Sequence, residues 1–324
     1  MSDFLTSDLV EQNLLKAKNE GKKFGLGDFN EVCIAQVAST ILALLGIPEE
    51  KINPSEPDMA PLIKSVVDSA QKKFGMDESS LVCAPCDRIV MYNPDAIAYW
   101  IFGRYYQKHF ASLARDVDLI YPMLSVFPPK TPVCFASMYT GFMPETHGIK
   151  KYEKPVLKCT TLFDRLISAG KKIAIVSTAG DSISLIFLER KMDYFIYKTV
   201  AECNEKASEL IKNDEYDVIV LYNTDYDYWM HRNTPTGLVA QSALKQDIRE
   251  YTALRKLIKE EWGSTSDKQS ATDKQSVADK GAKHRTALAF APDHGCHRWY
   301  GVLGQHELNE PCDMNTVHMW SFIN

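Results

Sequence analysis

From Arg88 onward the chain alternates short β-branched, apolar runs with longer amphipathic stretches, and no other feature of the sequence restricts its fold so strongly. The apolar runs cover residues 88–92, 172–177, 194–197, 217–222 and 286–291. Each has the length of a buried strand and is bounded by turn residues. Strands separated by helix-length segments have room for crossover connections, so they can lie parallel. A parallel sheet must be covered on both faces. The expected fold class is therefore α/β, with a mostly parallel central sheet and helices on both faces.

Residues 1–80 read differently, as a helical N-terminal part. The apolar run 32–45 ends at Gly46 with Pro48 just beyond, the pattern of a helix and its C-terminal stop. A second helix is expected over 61–74. Residues 264–283 repeat an Asp-Lys-Gln-Ser-like unit with almost nothing to bury, which reads as a solvated insertion that tolerates deletion. With 324 residues, 45% of them hydrophobic, the chain can build one large core, and a single domain over 1–324 is expected.

Charge and cysteine content narrow the function classes. There are 37 basic against 42 acidic residues, net −5, and no long basic run to follow a phosphate backbone, so nucleic acid is not an expected partner. No apolar stretch is long enough to span a membrane, and the first eighteen residues lack the charged head and apolar core of a leader. A cytoplasmic location is expected. Eight irregularly spaced cysteines in so long a chain suggest reduced thiols, and Cys83 and Cys86 form a lone C-x-x-C without a second pair.

The chemistry concentrates at the ends of the expected strands. Thr131 followed by Pro132 reads as an N-cap and first helical proline, with the helix running to about Tyr139 and closed by Gly141. A hydroxyl there sits beside unpaired N–H groups at the positive helix end, where a phosphate docks. An isolated Thr-Pro is usually only a cap, and a threonine hydroxyl needs activation, which a metal ion can supply. Potential ligands follow the later strands. Asp227 and His231 form D-x-x-x-H, which places both side chains on one helix turn. Asp293-His294-Gly295 follows the run 286–291 after a single proline. His306 is a further imidazole downstream, whereas His297 and His318 carry no signal of their own. Taken singly each group has a bland reading as a cap, an ion pair or a loop residue. Together they fall where ligands bind in open α/β sheets, beyond the carboxyl ends of strands.

Thr131, Thr140-Gly141, Pro144-Glu145 and His147-Gly148-Ile149, in this order and spacing, resemble the nucleophile region of the nucleotide pyrophosphatase/phosphodiesterase branch of the alkaline phosphatase superfamily. Asp227-x-x-x-His231, Asp293-His294-Gly295 and His306 resemble its metal-ligand series. The resemblance implies an alkaline-phosphatase-like fold, with Thr131 as nucleophile and also counted among the metal ligands. Asp227, His231 and His306 would hold one of two divalent ions, zinc by family. Asp293 and His294 would hold the other with an aspartate ending the first strand. That aspartate is expected to be Asp95, although the family's Asp-Gly would fall at Asn93, two residues earlier. The asparagine that helps hold phosphate in the family aligns with Tyr152, flanked by Lys150 and Lys151, so Lys150 and Tyr152 are the expected substrate contacts. The apolar helix at 37–47 resembles one that comes last in the superfamily. Its place here implies either a circularly permuted order, with residues 30–47 beside the C-terminal strand, or an ordinary core helix.

The expected activity is hydrolysis of a small-molecule phosphate ester such as a nucleotide, as a phosphodiesterase or nucleotide pyrophosphatase. The alternatives are a phosphomonoesterase or phosphonate hydrolase using the same site, and a metal-poor binding homologue.

Overall fold

The computed structural model describes residues 4–76, 84–263 and 283–324. Ten strands are formed: β1 (Val32–Cys33), β2 (Arg88–Pro94), β3 (Leu119–Leu124), β4 (Ile173–Thr178), β5 (Asp193–Tyr197), β6 (Val218–Asn223), β7 (Thr286–Phe290), β8 (His297–Trp299), β9 (Leu303–Gln305) and β10 (Asn315–Ile323). Eight make one sheet in the order β1-β3-β10-β7-β2-β6-β4-β5, and β8 and β9 form a separate hairpin. All pairings in the large sheet are parallel except those of β10, which runs antiparallel to both β3 and β7. The expected fold class is the observed one.

Alternation along the central strands shows how both faces are buried. Val90 and Tyr92 of β2, with Leu288 and Phe290 of β7, enter one apolar cluster under the helices Tyr99–Tyr105, Val200–Asn213 and Leu238–Glu261. Ile89 and Met91, with Ala287 and Ala289, enter the other under Val37–Leu44, Thr131–Thr140 and Leu162–Ser168. Strands buried on both sides read as continuous apolar runs, which is why β2, β4, β6 and β7 are legible in sequence, whereas the partly exposed edge strand β5 is legible from its aromatic and β-branched run.

The differences from expectation have local causes. β2 runs two residues past Tyr92, because Pro94 is its last residue and one neighbour, β7, has already ended at Phe290; a proline there forfeits no ladder bond to that side. β3 carries Pro122, and β10 mixes Asn315, Thr316, His318 and Ser321 into a fully buried strand, so neither shows a strand period. Of the run 32–45, the first two residues pair as β1, a single tight turn follows at Ile34–Gln36, and the α-helix spans Val37–Leu44. Gly46 adopts φ +64°, as a helix stop requires. The second N-terminal helix is Lys64–Lys73.

Residues 30–47 meet the C-terminal strand at Asn30, whose N–H donates to Asn315 Oδ1 at 2.9 Å, while β3 stands between β1 and β10. The repeat-bearing segment up to residue 282 and Cys83 lie outside the described residues. The seven described cysteines are free thiols. Among the described residues no helix is long and apolar enough to cross a membrane.

Candidate metal centre and nucleophile

The strand ends supply the site. Asp95 follows β2, Asp227 lies in the helix Asp225–Arg232 after β6, Asp293 and His294 follow β7, and the helix Thr131–Thr140 follows β3. These four connections converge at the carboxyl edge of the sheet, where side chains from different strands can meet.

Six of the seven expected ligands form two groups. One ligand atom each of Asp227, His231 and His306 lies within 4.8 Å of the others, and so do those of Asp95, Asp293 and His294. In the first group Nε2 of His231 is 3.3 Å from Asp227 Oδ1 and 3.2 Å from Nε2 of His306. In the second, Nε2 of His294 is 3.5 Å from Asp95 Oδ1 and 3.4 Å from Asp293 Oδ2. The two groups adjoin, with the rings of His294 and His306 centred 4.2 Å apart.

The hydrogen bonds behind these side chains fix what they can do. His231 Nδ1 faces the carbonyl of Gly304 at 3.1 Å, His306 Nδ1 that of Pro129 at 2.8 Å, and His294 Nδ1 that of Gly295 at 2.9 Å. A carbonyl only accepts, so each Nδ1 donates its proton and each Nε2 is left with a lone pair. In the neutral rings the lone pairs of His231 and His306 point at each other, and although burial works against it the Asp227 carboxylate raises His231, so a proton or a metal cation is favoured between them. The carboxylates show the same polarity. Asp95 Oδ1, Asp293 Oδ2 and Asp227 Oδ1 are buried with no hydrogen-bond partner, while Asp95 Oδ2 accepts from the Tyr222 hydroxyl and Asp293 Oδ1 from the Ala96 N–H at 3.3 Å. Orphaned buried oxygens are costly unless a cation faces them. Carboxylate and imidazole donors of this kind suit divalent zinc, so the residues fit the two ions that the sequence motifs imply.

Asp95 is oriented by a group the sequence did not single out. Burial and the Asp95 charge keep the Tyr222 phenol well above its ordinary range, so it stays a donor and turns the other carboxylate oxygen to the cluster. Ala96, next in the chain, has φ +61°. The residue directly after the aspartate thus lies in the left-handed region that glycine favours. Asn93 is committed elsewhere: its Nδ2 donates to the Ala291 carbonyl at 2.7 Å and its Oδ1 accepts from the Tyr139 hydroxyl at 2.6 Å.

Thr131 differs from its sequence reading in one respect. Lys130 is the N-cap, and Thr131 is the first helical residue with Pro132 second. Its hydroxyl is therefore not spent on capping. Thr131 is buried, its Oγ1 is 3.4 Å from His294 Nε2, and Gly141 closes the helix at φ +75°.

The site opens into a cleft of about 330 Å³ that Asp95, Thr131, Asp227, His231 and His306 line from below. Tyr152 is on its wall, with the Lys154 ammonium 5.2 Å from its ring centre. Lys154, Asp181 and Arg232 also line the cleft and Lys150 does not. No spacing in the sequence marked these residues, because they reach the cleft from three separate connections.

Protonation follows from the burial. Burial foremost, then the Asp227 charge, push Asp293 up to about 7, and burial with Asp293 and Asp227 raises Asp95 well above its ordinary range. Burial lowers His306 to about 3, leaving it neutral and able to ligate. A folded-state pKa above the unfolded value gives stability that is present at low pH and is lost as pH rises through the folded value. His306, lowered, contributes with the opposite sign, so the test is differential: chelated Asp293→Asn is expected to gain melting temperature on chelated wild type between about pH 5 and about pH 8, and metal-loaded wild type to lose less than chelated wild type over that range. Thermal scans at both pH values, with and without chelator, check this; equal slopes would contradict it.

An α/β sheet with paired carboxylate–imidazole groups at its carboxyl edge, beside a helix-start hydroxyl, defines a class of candidate metal-dependent hydrolase. Within that class, residues 93–157, the segment that carries Asp95, Thr131 and Tyr152, match the family model of type I phosphodiesterase / nucleotide pyrophosphatase. Among solved structures, murine ectonucleotide pyrophosphatase / phosphodiesterase 5, as an inactive variant in complex with AMP, is similar at 14% identity and TM-score 0.48, covering 65% of this chain and 57% of that one. The human counterpart is similar at 15% identity and TM-score 0.47 over the same shares. Phosphonoacetate hydrolase from Sinorhizobium meliloti, in complex with phosphonoformate, is similar at 16% identity and TM-score 0.44, covering 64% of this chain and 56% of that one. The chain thus spans less than two thirds of these structures. No curated protein matches the sequence.

Proposed function

We propose that the protein hydrolyses small-molecule phosphate esters through Thr131, as a phosphodiesterase or nucleotide pyrophosphatase, with two divalent ions, zinc by donor type, in the paired groups. The observation that carries this reading is the convergence of three lone-paired Nε2 atoms and three orphaned carboxylate oxygens on the space beside the Thr131 hydroxyl. The same orphaned oxygens argue against a metal-poor binding homologue.

In the first step the Thr131 Oγ–phosphorus bond forms as the ester oxygen–phosphorus bond breaks, and the hydroxyl proton goes to solvent. In the second, water attacks the threonine-bound phosphorus, the Oγ–phosphorus bond breaks, the threonine oxygen takes up a proton and a phosphate monoester leaves. When bound, the two ions supply positive charge that stabilises the attacking and leaving oxygens. Asp227, His231 and His306 would hold one, and Asp95, Asp293 and His294 the other. The helix Thr131–Thr140 presents the Thr131 hydroxyl at its positive end to the phosphoryl oxygens.

The expected outcome is that Asp227→Ala and Asp293→Ala each remove one equivalent of the metal that wild type binds, and each lower turnover by more than about a thousandfold. Metal analysis beside a rate assay checks it. Variants with unchanged metal content would remove the basis of the proposal.

Lys154 and Arg232 favour a second reading. Two cations at the cleft suit the extra charge of a monoester or phosphonate, where the family's asparagine gives way to Tyr152. Rates on a nitrophenyl phosphate monoester and its diester decide between the two. Lys154→Ala is expected to lower kcat/KM about tenfold for the preferred substrate, and an unchanged value would exclude that lysine from binding.

A further inference from the structure

We propose a third metal site, separate from the cleft, in which His297, Cys312 and Asp313 hold one zinc-class divalent cation that ties the β8–β9 hairpin to the turn before β10. One ligand atom of each residue lies within 4.8 Å of the others. His297 opens β8, and Cys312 and Asp313 are neighbours in the turn Pro311–Met314, so two short segments far apart in sequence present a chelating set.

Several features point to a built site. The Asp313 carboxylate is fully buried, and His297 Nδ1 stands 2.9 Å from its Oδ1 and 2.8 Å from its Oδ2, in front of the carboxylate. Asp313 Oδ2 also accepts from the Leu308 N–H at 2.8 Å, which fixes the carboxylate from behind as outer-shell donors do at metal sites. His297 and Cys312 are half-buried, leaving a fourth position for water. A thiolate and a carboxylate carry two negative charges, so a divalent cation makes the half-buried set neutral. Gly295 permits the approach of the two segments. A Cβ at that position would meet the Cys312 carbonyl oxygen at 2.3 Å, and the Gly295 N–H donates to the Asp313 carbonyl at 2.7 Å. The segment so closed contains His306, and the cation staples the ends of the loop that delivers it.

The sulfur makes the site testable apart from the cleft, whose two groups contain only carboxylate and imidazole. Wild-type protein loaded with cobalt should show a near-ultraviolet thiolate-to-cobalt charge-transfer band. Cys312→Ser should lose the band and one equivalent of metal, and His297→Ala should lose the same equivalent. Zinc absorption-edge spectroscopy on unaltered, zinc-loaded wild type needs no variant, and should report a zinc–sulfur shell at about 2.3 Å. A missing band together with a missing sulfur shell would mean that His297 and Asp313 are only a hydrogen-bonded staple. A band that persisted in Cys312→Ser would place the thiolate elsewhere. Either result overturns the site, whereas failure of the cleft variants to change metal content would leave the sulfur signal untouched and bear only on the proposed hydrolase.

Discussion

Thr131→Ala is expected to abolish turnover, by about four orders of magnitude or more, while both cleft metals stay bound. The metals stay because the orphaned oxygens and lone-paired nitrogens belong to other residues. Folding should survive as well, since Lys130 rather than Thr131 occupies the N-cap and, among the described residues, the hydroxyl's hydrogen-bond contact is with His294. A folded, metal-replete but inactive variant therefore isolates the nucleophile. Thr131→Ser keeps an oxygen at the helix start and should retain much of the rate. Acid-quenched wild type should carry phosphate on the peptide containing Thr131. Normal turnover by the alanine variant, or phosphate trapped on another peptide, would make water the direct attacker.

Asp95→Ala and Asn93→Ala should fail in opposite ways. Asp95 presents an unpartnered oxygen to His294, so its loss should remove one metal equivalent and more than about a thousandfold in rate. Metal-free Asp95→Ala should be no less stable than metal-free wild type, because burial and the neighbouring carboxylates make that charge unfavourable without a cation. Asn93→Ala should instead leave the Ala291 carbonyl and the Tyr139 hydroxyl unpaired in the core, at about 1–3 kcal/mol each. Its metal content should be unchanged where it folds. Chelator titrations and melting curves of both variants separate the two effects. A metal-depleted Asn93→Ala beside a metal-replete Asp95→Ala would reverse the assignment.

Sequence alone determined those parts of the molecule whose physics is local. Buried parallel strands have no polar face, so β2, β4, β6 and β7 announced themselves as apolar runs, β5 did so by its aromatic and β-branched residues although it is partly exposed, and the order of helices and strands then set the fold class. Gly46 and Gly141 marked helix ends because a left-handed stop depends on one residue. Asp227, His231, Asp293 and His294 were legible because they follow expected strands, whose ends are where such sheets bind, Thr131 because Thr-Pro marks a helix start, and His306 only through the motif order. Tertiary structure decided whatever depends on a partner distant in the chain. β10 became a strand because β3 and β7 pair with it on both sides, whatever its own composition. Asn93 and Asp95 are two residues apart and of similar size, and only the ladder with Asn223 fixes which one leaves the sheet at its edge. Tyr222 orients Asp95 across 127 positions, and the carbonyls of Pro129 and Gly304 set the tautomers of histidines more than 70 positions away. Such contacts leave no spacing behind in the sequence, because a hydrogen bond specifies distance in space and not along the chain.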